Sequence, residues 1–174
     1  MRWMNHAAQT GAVAAVIDPG YVPLAVLGAT APDWLEWVIG ALRGRPVKHR
    51  TVTHVLLSWV LAAVFFAFVW DWNGYGLAFA LGGCCHWLQD SVTITGVPAT
   101  WWSDRRTTLL GGRLRTGGIG EYIVSAVVVL ACAGIVATRG PDGGYLPFFR
   151  NWPGLYAEGL VDGAEWRQHR FEWF

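Results

Sequence analysis

Residues 86–98 read HWLQDSVTITGVP and close an apolar run where it gives way to serine and threonine. His86 and Asp90 are four residues apart, so on a helix their side chains lie on one face, about one turn apart. An imidazole and a carboxylate placed in this way can hold one metal ion together. A simple His–Asp hydrogen bond at a helix end explains the same spacing, so this stretch alone leaves both interpretations open.

The composition of the whole chain is that of a membrane protein. Hydrophobic residues make up 53% of the 174 residues and charged residues only 14%, well below the roughly one quarter that is usual in soluble domains. Twelve tryptophans agree with this interpretation, because indole rings favour the boundary between water and lipid. The three cysteines lie inside apolar runs, so no disulfide framework is expected. The formal net charge is +1, and no nucleic-acid partner is predicted.

Three long apolar stretches predict three full transmembrane helices: residues 55–70, 75–88 and 119–138. Asn73-Gly74 marks a tight turn between the first two of them. The chain is therefore predicted to be an all-α polytopic membrane protein.

The N-terminal apolar residues predict shorter helices. Residues 7–17 and 21–31 would each form a helix of only about 16 Å, whereas the hydrocarbon core of a bilayer is about 30 Å thick. They therefore predict a short helical hairpin, or a single helix bent at Pro19. Thr30 as a cap, with Pro32 in the first turn, predicts that a new helix starts there.

Charge and composition divide and orient the chain. Residues 1–138 are predicted to form a membrane-embedded domain with a metal site. Residues 139–174, rich in glycine and aromatic side chains, are predicted to form an irregular extramembrane tail that could dock a membrane-protein partner. Residues 43–50 and 105–115 are basic, whereas the turn at 71–74 carries only an aspartate. The positive-inside tendency places both basic loops on the cytoplasmic side of a prokaryotic cytoplasmic membrane.

This topology brings polar residues from separate segments to the cytoplasmic edge of the membrane. His49 and His54 precede the first predicted span, and His86 and Asp90 end the second. If the N-terminal hairpin opens to the same side, both of its ends arrive there too. The predicted metal ligands are therefore His6, Asp33, His49, His54, His86 and Asp90.

These residues resemble the YdjM-like family of small prokaryotic membrane proteins, which are described as predicted metal-dependent hydrolases. The resemblance covers roughly residues 6–102 and is carried by His6, Pro32-Asp33, the HRTVTH segment at 49–54 and the HWLQDSVTITGVP segment at 86–98. It implies a membrane-bound hydrolase that uses a metal ion. Leu35 stands where the family commonly has a second aspartate, and Val55 where a serine follows the histidine. Glu36 is the candidate for the missing carboxylate.

Several imidazoles with carboxylates suit Zn²⁺, or else Mn²⁺ or Fe, better than Ca²⁺, which prefers oxygen ligands. Six ligands exceed the three or four that one catalytic zinc uses, so one or two ions can be held. The expected reaction is hydrolysis, with Asp33 and Glu36 as candidates for ligand or general base. Arg50 could hold an anionic group or orient a carboxylate, or it could anchor the protein to a lipid phosphate.

The position at the membrane edge predicts a membrane lipid as partner and substrate. The four arginines within residues 105–115 could attract a phospholipid or another lipid-linked anionic ester, although topology alone explains them. Two other functions remain open. One is a non-catalytic component of a larger assembly with a structural metal site. The other is a metal or proton transporter, which needs ligands across the membrane, and only Asp18 and Asp71 lie away from the common edge.

Overall fold

A computed structural model of the protein describes residues 1–103, 105–138, 156–159, 162–164 and 167. The described chain is mostly helical, as predicted. Its main elements, in chain order, are α1 (Trp3–Ile17), α2 (Val22–Arg43), α3 (Leu56–Phe68), α4 (Tyr75–Ser91), the short strands β1 (Val97–Pro98) and β2 (Arg106–Thr107), and α5 (Ile119–Thr138). The predicted tail, residues 139–174, lies almost entirely outside the described residues.

Helices α1 and α2 form an N-terminal hairpin rather than one bent helix. Asp18 ends α1, and its Oδ1 accepts a 2.7 Å hydrogen bond from the backbone of the tight turn Pro19–Tyr21. Within the hairpin Gly11 faces Val26, since a Cβ at position 11 would lie 3.0 Å from a Val26 methyl carbon. The two helices therefore pack side by side, and the end opposite the turn carries predicted ligands from both.

The prediction of a new helix at Thr30 is wrong, because α2 continues from Val22 to Arg43. Pro32 lies inside it, where it cannot donate to the carbonyl one turn earlier. The Thr30 hydroxyl lies 3.1 Å from the carbonyl oxygens of Val26 and Leu27. It therefore bonds within the helix instead of capping a new one.

Helices α2 and α4 approach each other backbone to backbone. A Cβ at Gly28 would overlap the carbonyl oxygen of Phe79, and a Cβ at Gly82 would overlap that of Ala25. Only glycine permits this approach. Helix α3 packs on a neighbouring face of α4, where the Trp59 ring lies against its backbone. Helix α4 therefore lies between α2 and α3.

The prediction of three full membrane spans is not supported. Among the described residues, only α5 is long and apolar enough to cross a bilayer, with a mean hydropathy of 2.2. Helix α3 has 13 residues, or about 20 Å, against a hydrocarbon core of about 30 Å. The apolar run at 55–70 is longer than this helix because Val55 is extended and the helix ends at Phe68. Helix α4 has 17 residues and carries His86 and Asp90.

The loop between α4 and α5 packs on the end of α4. Strand β1 pairs antiparallel with β2. The indole N–H of Trp87 donates to the carbonyl of Pro98 at 2.8 Å. These contacts fix the last turn of α4, where Asp90 lies.

Candidate metal centre

Four segments of the chain meet at the open end of the hairpin. Three groups of side chains offer ligand atoms that lie within 4.8 Å of one another inside each group: His6, Asp33 and His86; Asp33, His49 and His54; and His54, His86 and Asp90. All six residues predicted as metal ligands belong to these groups. Because the groups share members, they form one His–Asp cluster rather than separate sites.

Three histidine rings form the centre of the His–Asp cluster. The side chains of His6, His54 and His86 are 0% exposed. The rings of His6 and His86 stack with their centroids 3.8 Å apart, and the ring of His54 lies 4.8 Å from that of His86. Imidazoles from α1, α4 and the loop before α3 therefore share one buried space.

The Nδ1 atoms of these rings point away from the centre and are held by oxygen atoms. His6 Nδ1 lies 2.5 Å from Oε1 of Gln89, and His86 Nδ1 lies 2.7 Å from the carbonyl oxygen of Ala29. Because carbonyl oxygens only accept hydrogen bonds, each Nδ1 carries the hydrogen and each Nε2 keeps its lone pair.

The carboxylate of Glu36 holds two histidines instead of projecting into the centre. Its Oε1 lies 3.1 Å from Nδ1 of His54 and accepts from the backbone N–H of Arg50 at 2.8 Å. The same oxygen accepts from the hydroxyl of Thr53 at 3.2 Å, and Oε2 lies 2.7 Å from Nδ1 of His49. A carboxylate has about four lone-pair sites, so these contacts occupy it.

The donor set fits a divalent metal ion. The Nε2 atoms of His6, His54 and His86 are buried and make no hydrogen bond within the described part of the chain. Buried polar atoms without partners are costly and rare. An imidazole whose other nitrogen is held by an oxygen is the usual arrangement of a metal-bound histidine. Together with the carboxylates, these nitrogens match the preferences of Zn²⁺, Mn²⁺ and Fe.

Two carboxylates border the imidazoles and differ in their exposure. Asp90 is buried, with Oδ1 3.4 Å from Nε2 of His6 and Oδ2 3.6 Å from Nε2 of His86. Asp33 places Oδ1 3.3 Å from Nε2 of His54, and its side chain is 30% exposed. Asp90 thus lies at the closed side of the cluster and Asp33 at its open side.

Arg50 is buried beside Asp90 and does not face outward. Its φ of 60° puts it in the left-handed region, which a non-glycine residue seldom adopts. Its Nη2 donates to Oδ1 of Asp90 at 2.7 Å and its Nη1 to the hydroxyl of Thr93 at 3.1 Å. The amino group of Met1 also contacts Oδ1 of Asp90. Of the three interpretations of Arg50, the contacts match the one in which it orients a carboxylate.

Close approach of opposite charges sets the pKa values at the open side of the cluster. Burial opposes charge on His54, Asp33 and Glu36, but the proximity of the imidazole to the two carboxylates outweighs it. The pKa of His54 is raised above its usual value, and the pKa values of Asp33 and Glu36 are lowered. A proton and a metal ion therefore compete for His54, because metal binding requires the neutral imidazole.

Sequence reasoning missed the groups that orient the rings. The side-chain amide of Gln89 donates to the hydroxyl of Thr10 at 3.1 Å, which turns its oxygen toward His6. Gln89 is a polar residue within an apolar helix, and this is the signal that could have identified it. The carbonyl of Ala29 gives no such signal, because its position depends on the close approach of α2 and α4.

The two carboxylates that a transporter would need have local roles. Asp18 bonds to the turn that follows it. Asp71 accepts from the backbone N–H groups of Gly76 and Leu77 at 2.8 and 2.9 Å, and so caps the first turn of α4. Neither belongs to a metal-ligand group among the described residues.

The helices and the His–Asp cluster define a class, namely helical membrane proteins that gather candidate metal ligands in one place. The family model of the YdjM inner membrane protein matches residues 1–146, and the protein belongs to that family. The matched range contains every member of the cluster. No curated protein and no solved structure gives a significant match to the chain.

Proposed function

We propose that this protein is an integral membrane metal-dependent hydrolase whose substrate is a lipid phosphoester or another lipid-linked anionic ester. The observation that carries the proposal is the set of three buried Nε2 atoms, on His6, His54 and His86, that have no partner among the described residues. Their rings are already oriented through Nδ1, so the site needs little rearrangement to bind an ion. Membership of an inner membrane protein family supports the membrane setting.

The cluster has donors for one or two ions, with Zn²⁺ favoured over Mn²⁺ or Fe. The residues that would bind an ion directly are His6, Asp33, His54, His86 and Asp90, with His49 completing a second set of donors. A bound ion would polarise the ester oxygen and lower the pKa of water so that it attacks near neutral pH.

The side chains of the protein have distinct tasks in this proposal. Asp33, at the open side, would accept the proton of the attacking water where a single ion leaves it uncoordinated. Glu36 holds the rings of His54 and His49 in position. Arg50 stabilises the negative charge of Asp90 within the interior.

The exposure of the cluster favours catalysis over a purely structural metal. Structural zinc sites are closed by four protein ligands, whereas catalytic sites keep a position open. The side chains of Asp33 and His49 are 30% and 62% exposed, so a substrate can reach this side. We place the opening at the cytoplasmic edge of the membrane, because the basic residues 43–50 adjoin it.

The test is metal analysis and turnover of purified protein in detergent. Wild-type protein is expected to hold zinc and to hydrolyse a phospholipid or a generic phosphodiester. His86→Ala and Asp90→Ala should lose both metal and activity while keeping their helical circular dichroism. His169→Ala, which changes the one histidine outside the predicted set, is the matched control and should keep both.

Full metal occupancy without turnover on a broad panel of lipids would contradict the hydrolase. The site would then be a structural metal site within a larger assembly. Absence of metal from wild-type protein, after loading and dialysis, would contradict the metal centre itself.

A further inference from the structure

Within the described part of the chain, the His–Asp cluster is open on one side. Its members His6, His54, His86 and Asp90 are buried. Asp33 and His49 are the members with exposed side chains. A substrate must therefore approach along the surface to which Asp33 and His49 belong.

That surface is one end of a long cavity between α1 and α2, which we call the α1–α2 groove. Its volume is about 640 Å³, and Asp33, Glu36 and His49 line its polar end. Ala7, Val26 and Leu27 line its apolar walls. The groove is thus continuous with the cluster and becomes apolar away from it.

The length of the α1–α2 groove suits one hydrocarbon chain. Its wall on α2 runs from Pro23 to Trp37, which is about 21 Å at 1.5 Å per residue. The acyl chains of one leaflet occupy about 15 Å, half of the hydrocarbon core of about 30 Å. One extended chain and the ester that joins it to a head group therefore match the groove.

Trp34 adds a polar feature beside the cluster. It lines the α1–α2 groove, and its indole N–H has no hydrogen-bond partner among the described residues. A buried indole N–H usually has one. An oxygen of a bound ester would supply it once the ring turns its N–H toward the groove.

We propose that the α1–α2 groove binds one hydrocarbon chain of the substrate and places the ester of that chain beside Asp33 and His49. This proposal rests on the hydrolase proposed above and narrows its substrate class to lipids whose scissile group directly follows an extended chain. A water-soluble ester would leave the apolar wall of the groove empty and would gain nothing from it.

The test uses alkyl hydroxamates, which chelate metal ions through the head and carry a chain of chosen length. Dissociation constants for a 2-carbon and a 14-carbon hydroxamate are measured on zinc-loaded protein in detergent. The test variant is Leu27→Trp, which fills the groove. The matched control is Leu61→Trp on α3, because Leu27 and Leu61 are 48% and 49% exposed. Partition of each probe into detergent is the same for all three proteins and cancels in the comparison.

We expect Leu27→Trp to weaken binding of the 14-carbon probe by about tenfold or more, the scale on which apolar pockets discriminate between chains. Binding of the 2-carbon probe and the zinc content should stay as in wild type. Leu61→Trp should match wild type with both probes.

Equal affinity of all three proteins for the 14-carbon probe, with the 2-carbon probe bound, would overturn the groove and leave the metal centre intact. If neither probe binds, the metal centre is not a site for such ligands, and the proposed role of the groove is contradicted as well. Conversion of a wild-type dimer into a monomer by Leu27→Trp would show that a second copy of the chain occupies the groove, which also overturns the proposal.

Discussion

Two buried carboxylates, Asp90 in the His–Asp cluster and Glu121 at the start of α5, have opposite surroundings. Glu121 accepts hydrogen bonds from the backbone N–H groups of Arg2 and Gly117, both at 2.6 Å, and from the side-chain amide of Asn5. Its contacts tie α5 to the beginning of α1. Asp90 bonds to Arg50 and lies beside imidazole nitrogens that have no partner.

This difference shows that burial of an acid does not by itself mark a site. Glu121 is as buried as Asp90, but its oxygens are supplied with neutral donors, and no buried side-chain atom of the described residues beside it is left without a partner. Near Asp90, the Nε2 atoms of His6 and His86 have no hydrogen-bond partner. Only a cation or a proton donor can satisfy their lone pairs. The surplus of acceptors, rather than the charge, distinguishes the candidate metal centre.

The largest expected effect is the loss of a ligand from the cluster. Zinc binds to structural sites with an apparent free energy of about 10–16 kcal/mol shared among four ligands, so His86→Ala should weaken zinc binding by about a hundredfold or more. Competition with a fluorescent chelator measures the affinity. A loss of less than tenfold would mean that His86 is not a ligand. The surroundings of Asp90 would then differ from those of Glu121 without marking a metal site.

Removal of Arg50 should affect stability more than any change near Glu121. Arg50→Met removes one of the two cationic contacts of Asp90, the other being the amino group of Met1, and should cost about 3 kcal/mol, the lower end of the range for a broken buried ion pair. Thermal unfolding of the metal-free protein measures the loss. Added zinc should restore part of it, because a cation in the cluster again compensates Asp90, and Arg50→Lys should be milder. Equal destabilisation with and without zinc would argue that no cation binds beside Asp90.

A smaller effect is expected when the group that orients His54 and His49 changes. Glu36→Gln keeps the shape of the side chain but weakens its bonds to both rings, and loss of such outer contacts reduces metal affinity by about 10–100-fold. Zinc titration in the same assay gives the value. An unchanged affinity would show that the rings are held by other contacts.

The smallest effect separates Glu121 from the cluster. Glu121→Gln brings an amide N–H toward existing donors and should cost about 1–3 kcal/mol of stability. Zinc affinity should not change, because Glu121 bonds to no member of the cluster in the described structure. A fall in zinc affinity comparable to that of Glu36→Gln would remove the distinction between the two carboxylates.

The meeting of the six candidate ligands could be predicted from the sequence, and the length of the helices could not. Histidines and aspartates at the ends of apolar runs are few, so their positions predict a meeting point, and all six meet in one cluster. The apolar run at 55–70 predicts a span by counting residues, but Val55 is extended and the helix covers only Leu56–Phe68. The run at 75–88 continues as helix to Ser91, but with 17 residues α4 is still short for a span, and its last turn is polar. Likewise Pro32 suggests a helix boundary, but α2 continues through it.

The orientation of the rings could not be predicted either. It depends in part on the carbonyl of Ala29, which has no signal in the sequence. It also depends on the carboxylate of Glu36, which the sequence suggests as a ligand or general base and not as a group that orients the rings. Sequence spacing reports which residues arrive at a place. It does not report which of their atoms remain without a partner once they are there.

The geometry of the His–Asp cluster depends on two glycines, Gly28 and Gly82. They let α4 come near enough for the ring of His86 to bond with α2, so a single methyl group at either position would push the two helices apart. The imidazole of His86 would then lose the hydrogen bond that orients it, and the rings of the cluster would no longer share one space. Residues that have no side chain thus govern the chemistry available to residues that do.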